Sequence, residues 1–271
     1  MELTAPCKIN LGLRITARRP DGYHEIETVM LPLPGLADRL TVTKRPEGIR
    51  FENRGFSVDC PPERNLCVRA ARLLQQRFGI GGLEICLDKR VPFGAGLGGG
   101  SSDAATVLRV ANELYGLGLP FGTLESLAAE LGSDTPFFIR NTPRLCSGRG
   151  ERMEPIDIDL KGLHIVVVKP PETISTAEAY AGVRPDPNGT PLRDILASAP
   201  GCWRDRLSNA FEATLFTRMP RLAELKESLY RAGAIYASLS GSGSALYGIF
   251  EQTPHYATDD PTLFLHTETL C

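Results

Sequence analysis

Between residues 91 and 105 the chain reads VPFGAGLGGGSSDAA, with five glycines on the seven positions from Gly94 to Gly100, followed at once by Ser101, Ser102 and Asp103. Ahead of this stretch Leu83, Ile85 and Leu87 alternate as in a strand. Behind it Ala104, Val107, Leu108, Ala111 and Tyr115 recur at helical spacing, with Ser101 or Ser102 predicted to cap the helix. A strand, a glycine loop and a helix therefore follow one another. Without a Cβ in the way, backbone N–H groups approach an anion closely, and the helix start adds the positive end of its dipole. Phosphate is the natural ligand of such a loop.

Two familiar phosphate loops do not fit. The G-x-x-x-x-G-K-[ST] pattern needs a lysine where Gly100 and Ser101 follow Gly99. Gly94, Gly96 and Gly99 satisfy G-x-G-x-x-G, but the acid about 20 positions on, Glu113, falls inside the predicted helix, and the next segment, PFGTLESLAAE, reads as another helix rather than a strand. A connection that merely packs a helix against a sheet accounts for two glycines rather than five.

The anion site must be local, because the 271 residues carry 30 Lys and Arg against 32 Asp and Glu, a net charge of −2. That balance argues against a nucleic-acid or anionic-membrane partner. No apolar run approaches bilayer length, and the opening MELTAPCKINLGL lacks a charged region followed by an apolar core, so a cytoplasmic location is expected. The cysteines, at positions 7, 60, 67, 86, 146, 202 and 271, form no C-x-x-C pair, and the four histidines are dispersed. Reduced thiols, and no metal held by protein groups alone, are the expectation.

Along the chain, Ile9, Leu11, Leu13 and Ile15 alternate with Lys8, Asn10, Gly12 and Arg14, predicting a strand with Lys8 and Asn10 on its polar face. A Pro20-Asp21-Gly22 turn leads to a return strand near Glu25 to Leu31, and ADRLTVT extends the sheet. Cys67, Ala70, Ala71, Leu74 and Phe78 mark one helical face ending at Gly79. Leu124, Leu127, Ala128 and Leu131 mark another, stopped by Gly132, with Asp134 just beyond. LHIVVVK reads as a strand, Thr176 as the start of a helix, RLAELKESLYRAG as a helix, and IYASLSGSGSALYGIF as two strands around a Gly-Ser loop. A boundary near residue 155 separates an N-terminal domain, 1–154, from a C-terminal one, 155–271.

PFGAGLGGGSSDAA resembles the phosphate-binding signature of the GHMP small-molecule kinases, and KINLGL, RPDGYHEIET, GSDTPFF and SLSGSGSALYGIF are similar to blocks of the branch that acts on diphosphocytidyl methylerythritol. The resemblance implies a two-domain α+β fold, N-terminal ribosomal protein S5 domain 2-like and C-terminal ferredoxin-like. It implies a kinase that uses ATP and Mg²⁺ on a small-molecule substrate, as a monomer or homodimer. Carried over position by position, it makes Asp134 the general base and Lys8 its catalytic partner. ATP falls to Pro92, Phe93, Gly94, Ala95, Gly96, Leu97, Gly98, Gly99, Gly100, Ser101 and Ser102, with Asn65 and Lys89 near the base and Ser102 beside Mg²⁺. The cytidine diphosphate falls to Asn10, Tyr23, His24, Thr176, Tyr180 and Gly241. Two other readings stand beside this one: a GHMP kinase for mevalonate or homoserine, and a member of the fold that binds nucleotide or a partner without turnover.

Overall fold

The computed structural model describes residues 1–58 and 60–270, and the chain divides into two compact units. One holds Met1–Lys8, Pro32–Phe93 and Gly98–Thr142; the other holds Ile9–Leu31, Gly94–Leu97 and the chain from Pro143 onward. Two long strands, β1 (Glu2–Arg18) and β2 (His24–Arg45), run through both and pair with each other.

In the first unit, β3 (Ile49–Gly55) lies parallel to β4 (Gly82–Lys89), joined to it through α1 (Leu66–Phe78), and β4 pairs antiparallel with Arg39–Arg45 of β2. Asn65 caps α1 by accepting a hydrogen bond from the Cys67 amide at 2.9 Å, and Gly79, at φ 63°, closes it. Cys67, Val68, Ala70, Ala71 and Leu74 form its buried face. Phe78 was expected on that face but is 38% exposed, because it is the last residue of the helix and passes the edge of the core. Three helices follow: α2 (Gly99–Tyr115), α3 (Phe121–Ala129) and α4 (Phe137–Arg140). Neither Ser101 nor Ser102 caps α2. Gly98, left-handed at φ 71°, already occupies that position, and its carbonyl accepts the first helical bond from the Ser102 amide at 3.0 Å.

The return strand does not end at Leu31. Pro32 and Pro34 lie between the residues paired to β5 (Arg144–Gly148) and those paired to β4, an interval in which neither ladder needs their missing N–H donors.

In the second unit, β5 pairs with Ile26–Met30 of β2 and with β6 (Arg152–Pro155). A four-stranded antiparallel sheet joins β7 (His164–Lys169), β8 (Tyr236–Leu239), β9 (Leu246–Phe250) and β10 (Phe264–Thr269) in the order β10-β7-β9-β8. Four helices accompany it: α5 (Thr176–Tyr180), α6 (Leu192–Leu196), α7 (Glu212–Arg218) and α8 (Pro220–Arg231). Helix α8 packs on β8 and β9 through Leu222, Leu225 and Leu229, which join Val166, Val168, Leu239, Leu246 and Phe211 in the core. Strand β10 escaped the sequence reading because it is an edge strand whose residues are all partly or fully exposed, so no clean alternation marks it.

Cys7, Cys67 and Cys146 are buried, Cys60 and Cys86 are partly buried and Cys202 is exposed; Cys271 lies outside the described residues.

Trp203 is 1% exposed, donates its indole N–H to the Ser198 carbonyl at 2.9 Å and meets Tyr236 edge-on with centroids 5.8 Å apart. Trp203→Ala is expected to destabilise the protein by about 3–5 kcal/mol, read from denaturant unfolding followed by far-ultraviolet circular dichroism. A loss below about 1 kcal/mol would show that this ring does not anchor the core.

Candidate active site

The glycine loop is shaped by what crowds it. Gly96 is left-handed at φ 76°, and a Cβ there would lie 2.1 Å from the Ser240 carbonyl oxygen and 3.0 Å from the Gly243 amide nitrogen. Only glycine permits that approach. Ser240 Oγ donates to the Gly96 carbonyl at 3.0 Å and the Ala245 amide donates to the Ala95 carbonyl at 3.1 Å, so the Gly-Ser loop between β8 and β9 is fastened to the first half of the phosphate loop. At Gly98 a Cβ would meet the Phe138 ring at 2.7 Å and Lys8 Cε at 3.1 Å. The loop thus passes directly over the Lys8 side chain as it enters α2.

Lys8 is 2% exposed on β1, and its ammonium stands 3.5 Å from Asp134 Oδ2. Asp134 sits in the turn from α3 to α4, closed by the Thr135 amide donating to the Gly132 carbonyl at 3.2 Å. Its side chain remains 34% exposed. A buried cation thus stands beside a carboxylate that is open to solvent and accessible to a reactant. Ser102 Oγ and Thr135 Oγ1 are buried without a hydrogen-bond partner.

Beneath the loop lies a buried ionic cluster absent from the sequence reading. Lys89 Nζ donates to Asp103 Oδ2 at 2.8 Å and to Asp38 Oδ2, while Asp38 Oδ1 accepts the amides of Arg90 at 2.6 Å and Val91 at 2.8 Å. Burial opposes the charge on Lys89, but Asp103 and Asp38 outweigh it and hold the ammonium above the ordinary lysine range. Burial pushes the Asp103 carboxyl up to about 8, against the pull of Lys89 and with repulsion from Asp38. The Lys89 side chain is therefore engaged in bracing the loop. It also lines a cavity of about 220 Å³ with Asn65, Leu66, Phe93, Gly100 and Asp103, on whose wall Asp103 Oδ1 has no hydrogen-bond partner. Asp38 was legible in principle: it shares the inward period of Leu36, Leu40 and Val42, all buried.

The residues expected to hold a cytidine diphosphate lie in the second unit. The His24 and Tyr180 rings stack with centroids 4.8 Å apart, and Tyr180 meets Phe211 edge-on at 4.8 Å. Burial, aided by the charge of Arg18, lowers the His24 pKa, keeping that ring neutral. Tyr23 is 56% exposed, with the Arg149 guanidinium 4.9 Å over its ring. Thr176 opens α5 behind a capping box of Ser175 and Glu178, one turn before Tyr180. Asn10 Nδ2 donates to Thr28 Oγ1 at 2.9 Å. The Gly241 carbonyl accepts from Asn209 Nδ2 at 2.8 Å, and sequence reasoning singled out neither Asn209 nor Glu212.

A glycine cradle opening a helix, set over a lysine–aspartate pair in a two-domain α+β chain, defines a small-molecule kinase. Residues 65–141 match the GHMP kinases N terminal domain and residues 192–257 the GHMP kinases C terminal domain. The 4-diphosphocytidyl-2-C-methyl-D-erythritol kinase of Parabacteroides distasonis is 44% identical over 249 residues, 92% of this chain and 91% of that one. The protein of the same name from Porphyromonas gingivalis is 44% identical over 250 residues, 91% of each. A crystal structure of 4-(cytidine 5'-diphospho)-2C-methyl-D-erythritol kinase superposes with a TM-score of 0.79 at 38% identity, covering 92% of this chain and 90% of that one. The mevalonate kinase of Methanococcus jannaschii, at TM-score 0.70 and 13% identity, shares the fold. The chain belongs to the 4-diphosphocytidyl-2-C-methyl-D-erythritol kinase branch of the GHMP kinases.

The ionic cluster makes a pH prediction. Folded Asp103 keeps its proton up to about 8, whereas the unfolded chain releases it near 3.8. Between those values the folded state binds more protons, so this group's contribution to stability is present below about 3.8 and is lost as pH rises toward 8. Asp103→Asn is expected to flatten the decline of the urea midpoint between pH 5 and 8. Parallel midpoint curves for the two proteins would remove Asp103 from that linkage.

Proposed function

We propose that the protein transfers the γ-phosphoryl group of ATP to the 2-hydroxyl of 4-diphosphocytidyl-2-C-methyl-D-erythritol, a step of non-mevalonate isoprenoid synthesis. The observation that carries this reading is the Lys8–Asp134 pair with Lys8 lying against Gly98, which brings base, cation and the helix-entering part of the phosphate loop, from Gly98 onward, into one unit. Asp134 accepts the proton of the attacking hydroxyl. Lys8 orients Asp134 and offsets charge that develops on the acceptor oxygen.

Pro92 to Ser102 hold the phosphates through backbone N–H groups, and the base lies against Asn65 and the backbone around Lys89, beside the cavity that Phe93 lines. Magnesium needs few protein ligands, because the phosphates and water supply most of its shell. The residues here fit such an ion: among those described, no three His, Cys, Asp or Glu side chains cluster to hold a metal, while the buried Ser102 hydroxyl has no hydrogen-bond partner and would hold one edge of it. When bound, the ion offsets phosphate charge. Tyr23, His24 and Tyr180 offer ring faces to cytosine, Asn10 and Thr176 offer polar contacts, and Gly241 lets the diphosphate approach a loop without side-chain bulk.

The test is ADP formation with Mg-ATP and, in parallel, the cytidyl acceptor, mevalonate, homoserine or no acceptor. Turnover confined to the cytidyl compound is expected; equal turnover with another acceptor would reassign the substrate. Asp134→Asn and Lys8→Ala are each expected to lower kcat by about 10²- to 10⁴-fold while the protein stays folded and binds ATP. Near-normal turnover in either variant would remove that residue from the chemistry.

A further inference from the structure

Asn209 is a 2% exposed amide all of whose named bonds go to backbone. Its Nδ2 donates to the Leu239 carbonyl at 2.9 Å and the Gly241 carbonyl at 2.8 Å, and its Oδ1 accepts from the Phe211 amide at 3.0 Å. The residues on either side anchor it to β1, with the Leu13 amide donating to the Ser208 carbonyl at 3.0 Å and the Ala210 amide donating to the Leu13 carbonyl at 2.8 Å. Three residues on, the largely buried Glu212 accepts from the Leu239 amide at 2.8 Å and from Ser238 Oγ at 3.0 Å through Oε1, while its Oε2 pairs with Lys226 at 2.7 Å. Two side chains from one short segment thus fix the end of β8 and the first half of the Gly-Ser loop.

That loop carries no large side chain that could pack it into place. Its shape depends on polar ties, and a buried carbonyl left without a donor is disfavoured. The same loop reaches the phosphate cradle, through Ser240 Oγ on the Gly96 carbonyl and through the close approach of Gly96 to Ser240 and Gly243. We infer that Asn209 is a positioning residue for phosphoryl transfer: with Glu212 it sets the Gly-Ser loop, and the loop in turn sets Ala95 and Gly96 of the phosphate cradle. This rests on the kinase reading above, but it concerns residues that touch no reactant.

The experiment uses the full chain. Mg-ATP affinity is measured by calorimetry, and kcat and KM are measured with Mg-ATP and the cytidyl acceptor, for wild type, Asn209→Ala, Ser240→Ala and Lys226→Met. Thermal unfolding checks that each protein is folded at the assay temperature. Asn209→Ala is expected to weaken Mg-ATP binding at least 5-fold and to lower kcat at least 10-fold. Ser240→Ala, which removes only the tie to Gly96, shifts both in the same direction by a smaller factor. Lys226→Met, which leaves the largely buried Glu212 without its ion pair, shifts both in the same direction by a smaller factor than Asn209→Ala.

A purely structural role would lower the melting temperature and leave affinity and kcat of the folded protein unchanged; that result overturns the inference. If Asn209→Ala does not fold, Ser240→Ala decides, and wild-type affinity and rate there overturn it. Wild type that binds ATP yet turns over no cytidyl acceptor sinks the proposed substrate, and the affinity arm still judges Asn209. Wild type that fails to bind Mg-ATP sinks both.

Discussion

The ammonium of Lys89, closed between Asp38 and Asp103, is the constraint on which the phosphate loop rests. A lone buried cation would be strongly disfavoured, and one carboxylate would neutralise it. The second carboxylate does something else. It joins three pieces of chain that have to keep a fixed geometry: β2 through Asp38, the end of β4 through Lys89, and the first turn of α2 through Asp103. Asp38 then uses its other oxygen on the Arg90 and Val91 amides, so the backbone is already fixed where it leaves the strand. With both ends held, the glycines between them form a cradle of defined shape instead of a flexible linker.

Glycine gives the loop its reach, but what lies next to each glycine gives it function. Gly98 has no room for a side chain because Lys8 and Phe138 fill that space, which is how Lys8 comes to lie directly under the loop. Gly96 has none because a second loop occupies it. The same small-residue chemistry that exposes amides to phosphate also lets two backbones touch. The touching is held by side-chain donors and acceptors set well back from the surface, Asn209 and Glu212 among them.

How much of this could be read in advance followed the range of the interactions. The glycine loop, its strand and its helix are local, and their signals are periodicity and composition. The apolar face of α1 and the two strands around Gly241 belong to the same kind. The partners of Lys89 are not local: Asp38 lies 51 residues away and Asp103 lies 14 away. Nothing in the spacing says that a lysine ending a strand will turn inward to meet them. Asp38 left a trace, a charge on the inward period of a strand, which is a contradiction that only a buried partner resolves. Asn209 left none, because a single asparagine before a short helix looks like any cap. Strand β10 was hidden for the opposite reason, since an edge strand with no fully buried residue has little pattern to show.

Of the three aspartates that pair with a lysine here, Asp103 and Asp134 have opposite surroundings. Asp103 is enclosed, and burial raises its carboxyl until the proton is held near neutral pH. Asp134 stands partly in solvent, 3.5 Å from an ammonium that is itself almost wholly buried. A base needs a carboxylate that a hydroxyl can reach, and of these two only Asp134 stands open to solvent. Asp103 has the closer lysine and the shorter contact, so proximity to a cation alone would select the wrong residue. Access to solvent separates the aspartate that braces the loop from the one that can take a proton. It also goes with position: Asp134 stands on a turn between helices, while Asp103 is locked into the first turn of α2.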